Sequence, residues 1–229
     1  MKRHSQRIHE KVVLYGSEKR EAARALWEHP GFPALYPTLL MALHTTIRAS
    51  VPLMETAAWA CEQLQGDAVA EGFGAYLREH IGEEKDHEWW VVEDLEKLGV
   101  PRERTLGQIP GPHAAAVVGS QYYWVRHAHP IALLGYLAVL EWEYPDPDSF
   151  GPIAERSGLP FEAFRTFRSH AQLDQHHRAD MEAVVDTLPL TEEQHTLVGL
   201  SVLATSQNVA SLYRGLVASH EARTGLLRA

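Results

Sequence analysis

The chain has 229 residues, 45% hydrophobic and 22% charged, with a formal net charge of −9. That balance suits a globular protein with a core of useful size. Without any Lys/Arg-rich run, it excludes the basic footprint that nucleic acid or an anionic membrane surface requires.

The N-terminal stretch MKRHSQRIHEKVV has no apolar core of the kind a signal peptide carries. Residues 1–17 are expected to form an arm ahead of one helical domain spanning 1–229. Apolar residues recur at helical spacing over most of the chain, and no stretch alternates as a strand does. A first helix is predicted from Glu18 to Glu28, closed by the His29-Pro30-Gly31-Phe32-Pro33 break. A long helix from Ala34 to Leu64 follows, bent near Pro52. It contains Cys61, the only cysteine. One cysteine permits no internal disulfide and no multi-thiolate zinc site, so the cytoplasm is the expected compartment.

The next helix is predicted from Ala68 to Leu98, with Gly99 as its stop. Residues 100–112 read as a Gly/Pro-rich loop. Helical pattern resumes from His113 to Tyr144, interrupted at Pro130. Pro130 to Leu140 is the longest apolar run, too short to span a bilayer. A short helix over Phe150 to Ser157, one from Pro160 to Thr187 and a last one from Thr191 to His220 complete an all-α bundle of about seven helices.

Three segments carry chemistry. SHAQLDQHHRAD holds His170, Asp174 and His177 in a His-x3-Asp-x2-His pattern. On a helix these fall within about 60° of one another, so they share one strip; His176 points away. REHIGEEKDHEWW repeats the spacing with His80, Glu84 and His87. Its Glu84-x2-His87 is the Glu-x-x-His element of carboxylate-bridged di-iron bundles. Glu83, about 60° from His80, can take the place of Glu84. Read alone, this segment fits a charged solvent face with i,i+4 pairs equally well. Glu141 ends the apolar run, where a desolvated carboxylate needs a cation or a proton, unless the helix ends there and the side chain reaches water.

Together Glu84, His87, Glu141, His170, Asp174 and His177 offer three carboxylates and three imidazoles from three helices. Mixed O/N ligation without thiolate suits iron or manganese. Six ligands suit two ions about 3.5–4 Å apart better than one ion that must keep open positions.

With those segments and GSQYYWVRHAHPIALLGYLAVLE in view, the sequence resembles the haem-oxygenase-like di-iron oxidase and oxygenase family over roughly residues 30–215. The resemblance implies a seven-helix, haem-oxygenase-like fold without haem. It implies two Fe(II) ions that react with O2 to give a peroxo-di-iron(III) species, and oxidation of an amino acid, amine or fatty-acid-like small molecule. By position it assigns Glu84 and His87 to the first ligand helix, Glu141 to the middle one, and His170, Asp174 and His177 to the last. Some relatives place a carboxylate seven residues before the first histidine; in this chain that position is His80, which leaves Glu84 and Glu83 both open. A homodimer is a family-level expectation, and an external electron donor is compatible with it. Tyr122, Tyr123, Trp124, Arg126, His127 and His129 are as well placed to line a pocket as to pack a core, with Arg126 able to hold a carboxylate.

Three other readings stand beside this one. A ferritin-like di-iron bundle would add Glu55 to the ligands. A cofactor-free thiaminase-type or quinone-precursor enzyme on the same fold would, in the thiaminase case, need Cys61 as nucleophile. A non-enzymatic helical protein would bind metal or a partner at exposed ligands.

Overall fold

The computed structural model describes residues 2–143 and 145–226, apart from the side chains of Asp174 and Leu226. Among the described residues there are eleven α-helices and three 3-10 turns, and no strand. They are α1 (His4–Tyr15), α2 (Ser17–Trp27), α3 (Phe32–Glu62), α4 (Ala68–Glu84), α5 (Glu88–Lys97), α6 (Arg102–Leu106), α7 (Pro112–His127), α8 (Leu133–Glu141), α9 (Phe150–Ser157), α10 (Arg165–Thr187) and α11 (Glu192–Leu226). Of the four helices beyond the expected seven, two come from predicted segments that are broken, and α1 and α6 form where an arm and a Gly/Pro-rich loop were expected. The 68–98 helix divides at Lys85, and the 113–144 segment divides at Pro130. Residues 4–15, expected as an arm, are helical and bury Ile8 and Val12 against the core.

Local signals account for most boundaries. Asp67 caps α4 by accepting from the Ala70 N–H at 2.8 Å. Thr191 and Gln194 close a reciprocal capping box at the start of α11. Gly99 (φ 77°) follows α5, and Gly158 (φ 69°) closes α9, conformations that favour glycine.

Two apolar clusters hold the helices. One joins Ile8, Leu53, Phe73, Leu77, Leu134 and Val202. The other is aromatic-rich, with Tyr36, Phe150 and Phe164 fully buried beside Leu26, Leu40 and Leu95. Helix α8 is apolar on every side and buried from Leu133 to Val139, as an interior helix must be. It lies so close to α11 that a Cβ on Gly135 would sit 2.5 Å from the Val198 carbonyl oxygen and 2.8 Å from the Val202 nitrogen. Lys19 of α2 fixes the far end of α8, donating to the Val139 carbonyl at 2.8 Å and pairing with Glu143 at 3.1 Å.

Helix α1 docks on α11 through a histidine pair. His4 stacks on His195 with ring centroids 4.8 Å apart, and their ring nitrogens lie 2.6 Å apart. Burial pushes His195 down to about 4, and nearby Arg7, His4 and Lys11 add to the effect.

Two outcomes are expected. Gly135→Ala overpacks a backbone-to-backbone contact and should cost about 1–3 kcal/mol, seen as a lower urea midpoint at unchanged m-value. For His195, an unfolded imidazole titrates near 6.5 and the folded one near 4. The unfolded chain therefore gains a proton first as pH falls, so this contribution to stability is present above about 6.5 and lost toward 4. Wild type should lose more stability between pH 7 and pH 5 than His195→Gln does; equal losses would remove His195 as the titrating group.

Candidate metal centre

The chain break between α4 and α5 shapes the site. Lys85 is extended, and Asp86 takes a left-handed conformation at φ 71°, which Asp tolerates better than most residues. His87 then becomes the N-cap of α5. The expectation that His80, Glu84 and His87 share one strip of a continuous helix is therefore corrected. The break turns His87 back beside Glu84, whose Oε2 is 3.1 Å from His87 Nδ1, while His80 stays a turn behind on α4.

Helix α10 is continuous, so His170 and His177 face inward two turns apart, 8% and 3% exposed. His176 is exposed and pairs with Asp180. Asp174 lies between them in sequence, but its side chain is outside the described residues.

Among the described residues, two groups of three donors result. His80, Glu83 and His177 form one, and Glu84, His87 and His170 form the other. Within each group the potential ligand atoms lie within 4.8 Å of one another. Glu83 and Glu84, which the sequence leaves as alternatives, thus stand one in each group. The groups touch: His177 lies 3.6 Å from Glu83 Oε2 through Nε2 and 3.6 Å from Glu84 Oε1 through Nδ1. Each group takes one histidine from α10.

Glu141 closes the arrangement. Helix α8 does end at this residue, yet its side chain is only 10% exposed. Oε1 is 3.1 Å from His80 Nε2, and Oε2 is buried with no hydrogen-bond partner among the described residues. A buried carboxylate oxygen left in that position needs a cation or a proton.

The electrostatics fit mutual compensation. Burial opposes a charge on His80, but Glu141, Glu84 and Glu83 outweigh it and hold the imidazole up at about 9. Burial likewise opposes a charge on Glu84, and His87 and His170 overcome it and hold the carboxyl at about 2. Burial pushes His170 down, and its Nδ1–H donates to the Thr166 carbonyl at 2.8 Å.

A cavity of about 90 Å³ opens onto these groups. One face of α3 supplies Leu43, Thr46, Ile47, Ser50 and Met54. Tyr136, Leu137 and Leu140 of α8 and Phe167 of α10 face it, with His80, Glu84, Glu141 and His170 at its polar end. Among the described residues its lining has no Lys or Arg. The Ser50 and Tyr136 hydroxyls, 3.3 Å apart, are polar points in its wall.

The segment from Tyr122 to His129 does not line this cavity. Tyr123, Arg126 and His127 are exposed, and Arg126 stacks on Trp59 at 4.9 Å. The wall residues were signalled instead by the spacing 43, 46/47, 50 and 54 on α3, which in sequence looks like ordinary core. Glu55, the extra ligand a ferritin-like plan needs, is exposed on α3. Cys61 is buried and lines a separate surface hollow with Glu62, Gly74 and Arg78.

Residues 41–207 match the model of a family described as iron-containing redox enzymes. No curated protein matches the chain. Among solved structures, a domain of unknown function with a haem-oxygenase-like fold from Shewanella denitrificans superposes with a TM-score of 0.75 at 15% identity, covering 94% of this chain and 92% of its own. A TenA homologue from Pseudomonas syringae pv. tomato gives 0.63 at 12% identity, covering 90% and 92%. A TenA homologue from P. horikoshii gives 0.55 at 15% identity, covering 91% and 97%. The fold is therefore haem-oxygenase-like. No helix among the described residues is long and apolar enough to cross a membrane.

Burial pushes the Cys61 thiol up to about 12, so it is protonated at neutral pH and a poor nucleophile. A thiol-reactive chromophore should label native protein far more slowly than denatured protein, and fast native labelling would reopen a nucleophilic role.

Proposed function

The chain belongs to the iron-containing redox enzyme family, and on that premise we propose that it is a non-haem di-iron enzyme that uses O2 to oxidise a small molecule. The observation that carries this reading is the pair of adjoining three-donor groups, Glu84/His87/His170 and His80/Glu83/His177. One ion per group, with Glu141 beside them, gives mixed nitrogen and oxygen ligation without thiolate, the chemistry of iron or manganese rather than structural zinc. Asp174, placed by sequence between His170 and His177, is proposed as a further ligand. When bound, two Fe(II) ions would supply the O2-activating redox chemistry.

The protein's own contribution is to hold, exclude and orient. The apolar wall of α3, α8 and α10 keeps water from the polar end of the cavity and takes an apolar part of the substrate. Its volume of about 90 Å³ is below the roughly 150 Å³ of a cavity that holds benzene. A short or slender group therefore fits, with Ser50 and Tyr136 available for one hydrogen bond. With no Lys or Arg in the described lining, a substrate carboxylate or amine has its counterpart at the ligand groups. An external electron donor and a homodimer belong to the same proposal.

Two alternatives lose their chemical support. A thiaminase-type reaction has only Cys61, which is buried away from the cavity lining. A ferritin-like plan lacks Glu55.

Anaerobic Fe(II) titration should load two equivalents per chain, followed by O2 uptake on mixing. His87→Ala or His170→Ala should remove one equivalent, His80→Ala or His177→Ala the other, and Asp174→Ala should lower occupancy. Each should abolish O2 consumption. Full occupancy with undiminished O2 uptake in all five would overturn the proposal.

A further inference from the structure

We propose that Asp94 is a positioning residue that fixes the tautomer and direction of His170, and through it one of the two ion positions; this rests on the metal-centre reading above. Asp94 is an acid in a place where an apolar side chain would pack at less cost. It sits on α5 among Val91, Val92 and Leu95, 1% exposed. Helix α10 explains why it is there. The N-cap of α10 is Phe164, which offers no side-chain cap, so the first N–H groups of the helix need an acceptor from elsewhere. Asp94 supplies it across the helix interface, accepting from the Thr166 N–H at 2.8 Å. A carboxylate at a helix N-terminus is also favoured by the helix dipole.

Thr166 passes the constraint on. Its carbonyl accepts from His170 Nδ1–H at 2.8 Å. With Nδ1 protonated, the ring's lone pair is on Nε2, which faces Glu84 Oε2 at 4.0 Å. Helix α5 itself begins next to His87, so Asp94 ties the helix that starts at one ligand to the helix that carries another. Releasing the first turn of α10 would free the Thr166 carbonyl and let the His170 ring rotate or change tautomer. Asp94 reaches the Glu84/His87/His170 group directly, through Thr166 and His170, so the effect falls first on that position. Groups that orient metal-bound histidines in this way are typically worth 10–100-fold in metal affinity.

The test uses the full chain, metal-free, with anaerobic Co(II) as the probe and ¹⁵N-histidine NMR as a second readout. In Asp94→Ala, one Co(II) equivalent should weaken by about 10–100-fold while the other is unchanged, and the fixed Nδ1–H signal of His170 should be lost. Asp94→Asn keeps an acceptor oxygen and should restore both the signal and the affinity to within a few-fold. If Asp94→Ala does not fold, Asp94→Ser, with a shorter reach, replaces it and should show the same selectivity. Equal weakening of both equivalents, or an unchanged His170 signal in a folded variant, would overturn the proposal. Absence of Co(II) binding by wild type would count against the metal-centre reading, and the NMR comparison would then decide on Asp94 by itself.

Discussion

The structure depends on the cost of keeping polar, ionisable side chains inside an apolar bundle. Glu84, Glu141, His80, His87, His170 and His177 are all largely buried, between a core built on α3, α4, α8 and α11 and an aromatic one built on α2, α3, α5 and α9. An isolated carboxylate there would take up a proton. Here each acid meets histidine rings, and Glu141 Oε2, with no hydrogen-bond partner among the described residues, is placed for a cation to complete the set. A site of this kind is stable only if all its members are present and correctly aimed.

Aiming is the work of features that look structural. The left-handed Asp86 interrupts what would be one amphipathic helix and folds His87 back onto Glu84. Gly135 lets α8 approach the α11 backbone, and Lys19 holds the last turn of α8, so Glu141 arrives from a rigid element. Asp94 fastens α5 to α10. Ring contacts add to this: Trp90 stacks on His87 at 3.9 Å and meets His170 edge-on at 5.5 Å. The cavity wall is made differently, by an apolar stripe of α3 and the face of α8, with its polar side chains gathered at His80, Glu84, Glu141 and His170.

Sequence periodicity was enough to show that the chain is all-helical, because the i, i+3, i+4 repeat of apolar residues is a property of each helix by itself. The same is true of the inward strip of α10: His170 and His177 belong to one face whatever surrounds them. Caps and glycine stops were legible for the same local reason, at Asp67, Gly99 and Thr191. Glu141 was legible as an acid stranded at the end of an apolar run.

Tertiary structure decided the rest. Whether residues 85–86 continue a helix or break it depends on where α5 must pack, and that choice moved His80 and His87 into different groups and gave both Glu83 and Glu84 a place. Whether residues 4–15 hang free or form a helix depends on α11 offering a surface for Ile8 and Val12. The cavity wall was hidden because Leu43, Ile47 and Met54 obey the same apolar pattern as any core residue; only the position of α8 and α10 opposite them opens a space there. The sequence by itself determined which side chains each helix presents. Long-range packing determined which of those presentations meet, because contact between α4, α8 and α10 depends on backbone breaks and close approaches that no local repeat encodes.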